Sequence, residues 1–295
     1  MPTSAVTLDD DAADTCGRER TGTSDVARLA AKDFAAFTDE ELAVARLAMQ
    51  RLRWSPGERR TRRWSSGRGP RVDLRAAIGR SLRTGGDVAT LPTRRRRTRP
   101  RQLVLLCDVS GSMERHSRVL LHFAHAMGLR HRLEAFLFST QLTRITRELR
   151  TGGLDDVLAA VARTVPDFSG GTRIGASLRT LHQQWGRRVL GSRVVVLVIS
   201  DGWDRGDPQL LREQVARLQR SCHLLLWLTP LLGTPGYTPS TRGLEAALPF
   251  VDAFLPARTL TDIADLAVHL NALEPFRRPG PGGYIAAPRD SKGRR

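Results

Sequence analysis

A run of apolar residues from Leu103 to Cys107 stops abruptly at Asp108, and Val109-Ser110-Gly111-Ser112-Met113 leads on into a helix-like segment. A near-continuous apolar run of this length marks a parallel strand buried on both faces, because helices cover such sheets above and below. In open α/β sheets ligands sit just beyond the carboxyl ends of the strands. Asp108 is therefore expected at a binding position, with the hydroxyls of Ser110 and Ser112 on the same short turn. A carboxylate and two hydroxyls are hard oxygen donors, suited to a cation of the Mg2+ type. Taken alone, the same residues are also what a turn and a helix N-cap require.

Two other loops supply further oxygens. Asp167 to Ile174 reads DFSGGTRI, with Thr172 after a glycine pair and a helix-like stretch behind it. Arg193 to Gly202 reads RVVVLVISDG, a second buried-strand pattern that ends in Ser200 and Asp201. The order D-x-S-x-S, then Thr, then Asp at a strand end is the pattern of a metal-ion-dependent adhesion site. On it the chain resembles a von Willebrand factor A domain. That resemblance implies that Asp108, Ser110, Ser112, Thr172 and Asp201 are the metal ligands, for Mg2+ or alternatively Mn2+ or Ca2+. Gly111, Gly170 and Gly171 would let the backbone turn closely round the ion.

From residue 101 onward strand and helix patterns alternate. Strands are expected at Leu103–Cys107, Leu133–Ser139, Val194–Ser200, His223–Thr229 and Val251–Leu255, with a short one at Gln141–Arg147. Helices are expected at Ser117–Gly128, Leu154–Val165, Ile174–Trp185, Asp207 to about Arg220, and Thr261–Asn271. Val119, Leu120, Phe123 and Met127 should form the buried side of the first of these, while Asp207 caps the fourth, with Pro208 at its first position. Such alternation predicts an α/β fold: a doubly wound, mostly parallel sheet with helices on both faces, of von Willebrand A or Rossmann-like type.

A small helical N-terminal region is expected to precede it. Thr38 and Glu41 stand at capping-box spacing, with Phe37 and Leu42 placed as a hydrophobic staple. Leu42, Ala45, Met49 and Leu52 share one face of the helix that follows, which is expected to dock elsewhere on the molecule. The expected organisation is a disordered segment at 1–25, a helical, Arg-rich region at 26–100, the A-like domain at 101–273 and a disordered tail at 274–295. Within the second, Arg51–Pro70 has the composition of a solvated linker holding Trp54 and Trp64, the alternative being stacking and cation–π contact with single-stranded nucleic acid or an acidic partner. Val72–Leu82 suits a short helix with Leu74, Ile78 and Leu82 on one side, and Thr93–Arg101 is a second basic run expected at a solvated edge, with a docking surface next to the sheet as the alternative.

The formal charge is +17 over 295 residues, which raises the question of nucleic acid. Lys32 and Lys292 are the only lysines, so the charge is almost all arginine and looks like a GC-rich coding background. A nucleic-acid partner is accordingly disfavoured, although a basic nucleic-acid-binding protein stays among the alternatives; acidic protein surfaces suit the same field. Cys16, Cys107 and Cys222 are few, scattered and odd in number, as in a reducing compartment. The acidic start and the absence of a long apolar run predict a cytoplasmic protein without a membrane span.

The enzymatic alternative is a Mg2+-dependent, phosphatase-like hydrolase with Asp108 as nucleophile. Such enzymes need a second Asp two positions later as acid and base. Here that position is Ser110, which does not serve that purpose near neutral pH. No G-x-x-x-x-G-K-[ST] loop occurs, and neither His122 with His125 nor Cys222 with His223 has the companions of a zinc motif. The expectation is a non-enzymatic protein.

A narrower resemblance rests on RVDLRAAIGRSLRTGGD (71–87), LCDVSGSM (106–113), DFSGGTRIG (167–175), SDGWDRGDP (200–208) and LPFVDAFLP (248–256). Through these the chain resembles the CoxE-like family of bacterial von Willebrand A proteins. The resemblance implies a cytoplasmic accessory role beside a MoxR-type AAA+ ATPase, in maturing a molybdenum hydroxylase such as carbon monoxide dehydrogenase. Trp203, Asp204 and Arg205 would then shape the partner contact beside the ion. His116, where the family usually has Tyr, is a fourth candidate for that contact.

Overall fold

The computed structural model describes residues 27–52, 55–83, 85, 91–151, 171–234 and 236–271. The expected helix Leu154–Val165, Trp54, most of the Asp167–Gly171 stretch and the two terminal segments lie outside them.

Six strands form the central sheet: β3 (Gln102–Asp108), β4 (Leu133–Phe138), β5 (Leu142–Arg144), β6 (Val194–Ile199), β7 (Leu224–Thr229) and β8 (Ala253–Pro256). Their order is β5-β4-β3-β6-β7-β8, while β1 (Glu58–Val72) and β2 (Thr93–Pro100) pair separately. All neighbours are parallel except β5, which runs antiparallel to β4 at the edge. The connection from β3 goes to β4 on one side, while β6 pairs with the other. The crevice beyond the carboxyl ends of β3 and β6 is thus the topological switch point, where doubly wound sheets bind ligands.

Alternating strand residues feed two cores. Leu103, Leu105 and Cys107 of β3 join Val195, Leu197 and Ile199 of β6 on one face. That face is covered by α3 (Glu114–Arg130) and α7 (Leu260–Asn271). Val104, Leu106, Val196 and Val198 point the other way. They pack under α4 (Ile174–Thr180), α5 (Pro208–Ser221) and α6 (Arg242–Ala247). Because both faces are buried, the strands read as unbroken apolar runs rather than alternating ones. Val119, Leu120, Phe123 and Met127 are all buried beneath α3, as their helical spacing requires. Asp207 caps α5, accepting from Gln209 N at 2.9 Å with Pro208 at the first position. Helix α4 runs on through a π-helical turn, Leu181–Trp185, into a last turn at Gly186–Val189.

The N-terminal helix α1 (Asp39–Arg51) begins with the expected capping box. Thr38 Oγ1 accepts from Glu41 N at 3.2 Å and Glu41 Oε2 accepts from Thr38 N at 2.9 Å. Leu42, Ala45 and Met49 are buried in the same apolar cluster as β3 and α3, so this helix completes one face of the sheet domain.

The arginine-rich stretches depart from expectation. Most of Arg51–Pro70 is a strand, β1 (Glu58–Val72), paired antiparallel with β2 (Thr93–Pro100). The expected solvated linker and solvated edge are therefore two halves of one ribbon. Apolar alternation is missing because long arginine stems take its place. The guanidinium groups of Arg71 and Arg96 lie 4.9 and 5.2 Å from the Trp64 ring centroid. Gly69 sits in an irregular step of the register, where a Cβ would fall 2.2 Å from the Arg94 carbonyl oxygen. The short helix α2 (Leu74–Ser81) follows, capped by Asp73 and leaving Leu74, Ile78 and Leu82 exposed.

Candidate metal centre

Residue pairing places the first acid. Cys107 pairs with Ile199, so Asp108 emerges beside Ser200 at the carboxyl end of the sheet. The Asp108 carboxylate is fully buried and held at both oxygens. Its Oδ1 accepts from Ser110 N at 2.9 Å and lies 3.4 Å from Thr172 Oγ1; its Oδ2 accepts from Ser200 Oγ at 2.7 Å. Ser117, on the first turns of α3, donates to the Asp108 carbonyl and fixes the backbone there. Asp201 closes the other side. Its Oδ2 accepts from Ser112 Oγ at 2.6 Å, and Ser112 Oγ stands 3.3 Å from Ser110 Oγ. Its Oδ1 takes the Trp203 N–H at 3.0 Å. The five residues singled out from sequence thus form one contiguous oxygen cluster built from three loops.

Burial, and then the nearby charge of Asp201, push the Asp108 carboxyl up to about 6, although hydrogen bonds from Ser110 and Ser200 pull the other way. Among the described residues, none of the ion pairs involves Asp108 or Asp201. Two carboxylates and three hydroxyls come together here without an ion pair among the described residues. This donor set fits a hard divalent cation, which would offset both the burial and the mutual repulsion.

The loop after β6 is clasped to the Thr172 loop. Asp204 Oδ1 accepts from Ile174 N at 2.9 Å, at the start of α4, and from Gly206 N at 3.2 Å. Arg205 N donates to the Thr172 carbonyl at 2.9 Å. Asp204, expected to face a partner, is therefore turned inward and half-buried, and burial raises its carboxyl above the ordinary range. His116 also departs from expectation: its Nε2 lies 3.1 Å from Asp33 Oδ1, with burial lowering its pKa. Trp203 is 65% exposed and Arg205 is exposed, so these two do face solvent beside the cluster.

Sequence reasoning missed Ser200, the residue that holds the second oxygen of Asp108. Its carbonyl in turn accepts from Trp227 Nε1 at 3.0 Å. Only strand register reveals this role, although adjacency to Asp201 was a signal. Close approach also constrains two glycines. Gly171 has φ +77° and Gly202 φ +78°; a Cβ on Gly202 would lie 2.4 Å from Leu244 Cγ. Gly202→Ala is expected to cost about 2–3 kcal/mol, from left-handed backbone strain plus overpacking, as measured by urea unfolding.

The doubly wound sheet, with D-x-S-x-S, Thr and Asp converging at its switch point, is that of a von Willebrand factor A domain. The family model described as VWA domain containing CoxE-like protein matches residues 43–263, and the chain belongs to that family. No curated protein sequence is a significant match. Among solved structures, the chain is similar to proximal thread matrix protein 1 from the mussel byssus. Identity there is 16%, covering 58% of this chain and 47% of that one, with a TM-score of 0.40. A form of that protein with a zinc-occupied MIDAS motif matches over the same shares at 16% identity and a TM-score of 0.36. An aerotolerance-related membrane protein from Bacteroides fragilis matches at 11% identity, over 57% of this chain and 96% of its own, with a TM-score of 0.37. The chain spans about half the length of the byssus protein. Among the described residues no helix is long and apolar enough to cross a membrane.

Proposed function

We propose that this chain is a non-enzymatic adaptor that binds another protein through a divalent ion held by Asp108, Ser110, Ser112, Thr172 and Asp201. The observation that carries this reading is the chain of contacts that links Asp108 through Ser110 and Ser112 to Asp201 at the switch point, with Thr172 and Ser200 on the Asp108 carboxylate. When bound, Mg2+, Mn2+ or Ca2+ would supply a Lewis-acidic position able to accept a carboxylate oxygen from outside. The chain's own part is to present two carboxylates that make no ion pair among the described residues, so that they can ligate. Two negative charges balance a divalent ion without surplus, which leaves the site receptive to a third acid. Ser110 stands where a phosphatase would need its second carboxylic acid, and this supports capture over turnover.

Trp203 and Arg205 would form the rim of the contact, the residue types that most often carry binding energy at interfaces. Membership in the CoxE-like family supports a MoxR-type AAA+ ATPase as that partner. It equally supports a molybdenum hydroxylase such as carbon monoxide dehydrogenase as the client, with the pair working in the cytoplasm. The ATPase would supply the work and this chain the recognition.

The test is capture of the purified ATPase in Mg2+ and in EDTA. Capture that depends on Mg2+ supports the proposal, and capture indifferent to EDTA refutes it. Trp203→Ala is expected to weaken capture about tenfold or more. Urea unfolding of the same variant should shift by no more than about 0.5 kcal/mol, because the ring is exposed.

A further inference from the structure

The strands β1 and β2 concentrate the chain's positive charge. Six of the 15 residues of β1 and five of the eight of β2 are arginine, against 45 of 295 in the whole chain. A coding background raises arginine everywhere and does not produce a local excess of this size. Glu58 is the only carboxylate within the two strands. Asp73, next after β1, is already committed to Arg94 at 2.6 Å.

Arginines border two neighbouring clefts. A cleft of about 680 Å3 on the ribbon is bordered by Arg60, Arg68, Arg95, Arg96 and Arg97. A second, of about 530 Å3, lies where the ribbon meets the sheet domain and is bordered by Arg59, Arg60, Arg96, Arg101 and Arg193. Arg60 and Arg96 border both. Arg59 stands directly across from Arg99 in the register, a like-charge pair that destabilises an isolated ribbon. Burial, and then Arg193, Arg99 and Arg132, hold the Arg59 guanidinium below its ordinary range. Such a surface stores repulsion that a linear polyanion would relieve.

We infer that the β1–β2 ribbon is a nucleic-acid-binding element that grips the phosphodiester backbone without reading sequence. A two-stranded ribbon is one of the elements that the major groove of B-DNA, about 12 Å wide, admits. Duplex DNA presents a charge about every 1.7 Å along its axis, a density that suits arginines set this closely. An acidic protein surface fits less well, because protein surfaces intersperse both signs. Arg71 and Arg96 lie over the Trp64 ring, so the ring helps to set these two arginines in place. Binding should therefore be electrostatic and independent of the ion at Asp108.

The test is fluorescence anisotropy of the full chain with a short DNA duplex of mixed sequence, in EDTA. Affinity should fall with salt between about 50 and 200 mM, with a log–log slope of roughly −4 to −6. The triple variant Arg68→Glu, Arg95→Glu, Arg97→Glu alters exposed side chains and should weaken binding by about tenfold or more while flattening that slope by roughly 3. The matching Lys triple should restore most of the binding, whereas Asp108→Ala should leave it unchanged. No binding at low salt, or a triple-Glu variant that binds like the parent, would overturn the inference. Tighter capture of poly-glutamate than of duplex would overturn it too, in favour of an acidic protein partner. Loss of Mg2+-dependent capture with DNA binding retained would reject only the adaptor reading.

Discussion

Asp108→Asn is expected to lose all response to Mg2+ and yet, in EDTA at neutral pH, to be more stable than the parent. The carboxyl sits fully buried and is raised from 3.8 to about 6. A group whose folded-state value is raised in this way binds its proton more tightly folded than unfolded. The metal-free parent should therefore gain stability as pH falls from about 6 towards 4 and lose it again as pH rises through that window. Two pKa units correspond to about 3 kcal/mol, which is the most that neutralising the group can recover. Asn keeps the Ser110 N–H as a donor to its oxygen, but its amide must turn the Ser200 hydroxyl from donor to acceptor. A net gain of about 1–2 kcal/mol at pH 7.5, vanishing near pH 4, is the expected outcome. With metal the order reverses, since a ligand at a hundred times its Kd stabilises the parent by about 2.7 kcal/mol and the variant not at all. Urea unfolding at two pH values, with and without Mg2+, measures all four numbers. An Asn variant destabilised equally at both pH values in EDTA would show that the buried charge carries no such cost.

The largest loss of stability is expected at Trp227, in the middle of β7. Its side chain is 0% exposed and packs beneath α5 and α6 on the second face of the sheet. Trp227→Ala should cost about 3–5 kcal/mol through lost burial and the cavity left behind. Trp227→Phe separates packing from hydrogen bonding. The indole N–H donates to the Ser200 carbonyl, and its loss leaves a buried acceptor unpaired, at about 1–3 kcal/mol. Because Ser200 also holds Asp108, the Phe variant should bind metal more weakly even where it stays folded. Metal affinity unchanged in a folded Trp227→Phe would show that the Ser200 carbonyl does not position the site.

What sequence could show follows from the range over which each rule acts. The buried runs Leu103–Cys107 and Val194–Ile199 announce themselves because burial on both faces leaves no polar alternation. The Thr38–Glu41 box and the Asp207-Pro208 start obey rules that span a few residues, and both appear in the structure as expected. Four of the five candidate ligands were legible in the same way, since Asp108, Ser110, Ser112 and Asp201 lie on short turns directly after β3 and β6, while Thr172 stands just before α4. Ser200 was not, because its bond to Asp108 depends on which residue pairs with Cys107 across the sheet. Asp204, expected to help shape a partner contact, instead accepts from Ile174 N and clasps two loops together, a role set by the tertiary position of Ile174. The β1–β2 ribbon escaped because strand patterns are recognised by apolar alternation. Here Trp64, with arginines stacked on it, is its single aromatic residue.

The most direct measurement is a Mn2+ titration of the full chain followed by water-proton relaxation, which reports both stoichiometry and the water left on the ion. One saturable site is predicted, displaced by Mg2+ and absent in Asp108→Asn, with relaxation enhanced by retained water and quenched when an acidic partner peptide is added. Absence of saturable binding, or binding that survives Asp108→Asn and Thr172→Val together, would contradict an open ion site at the end of β3.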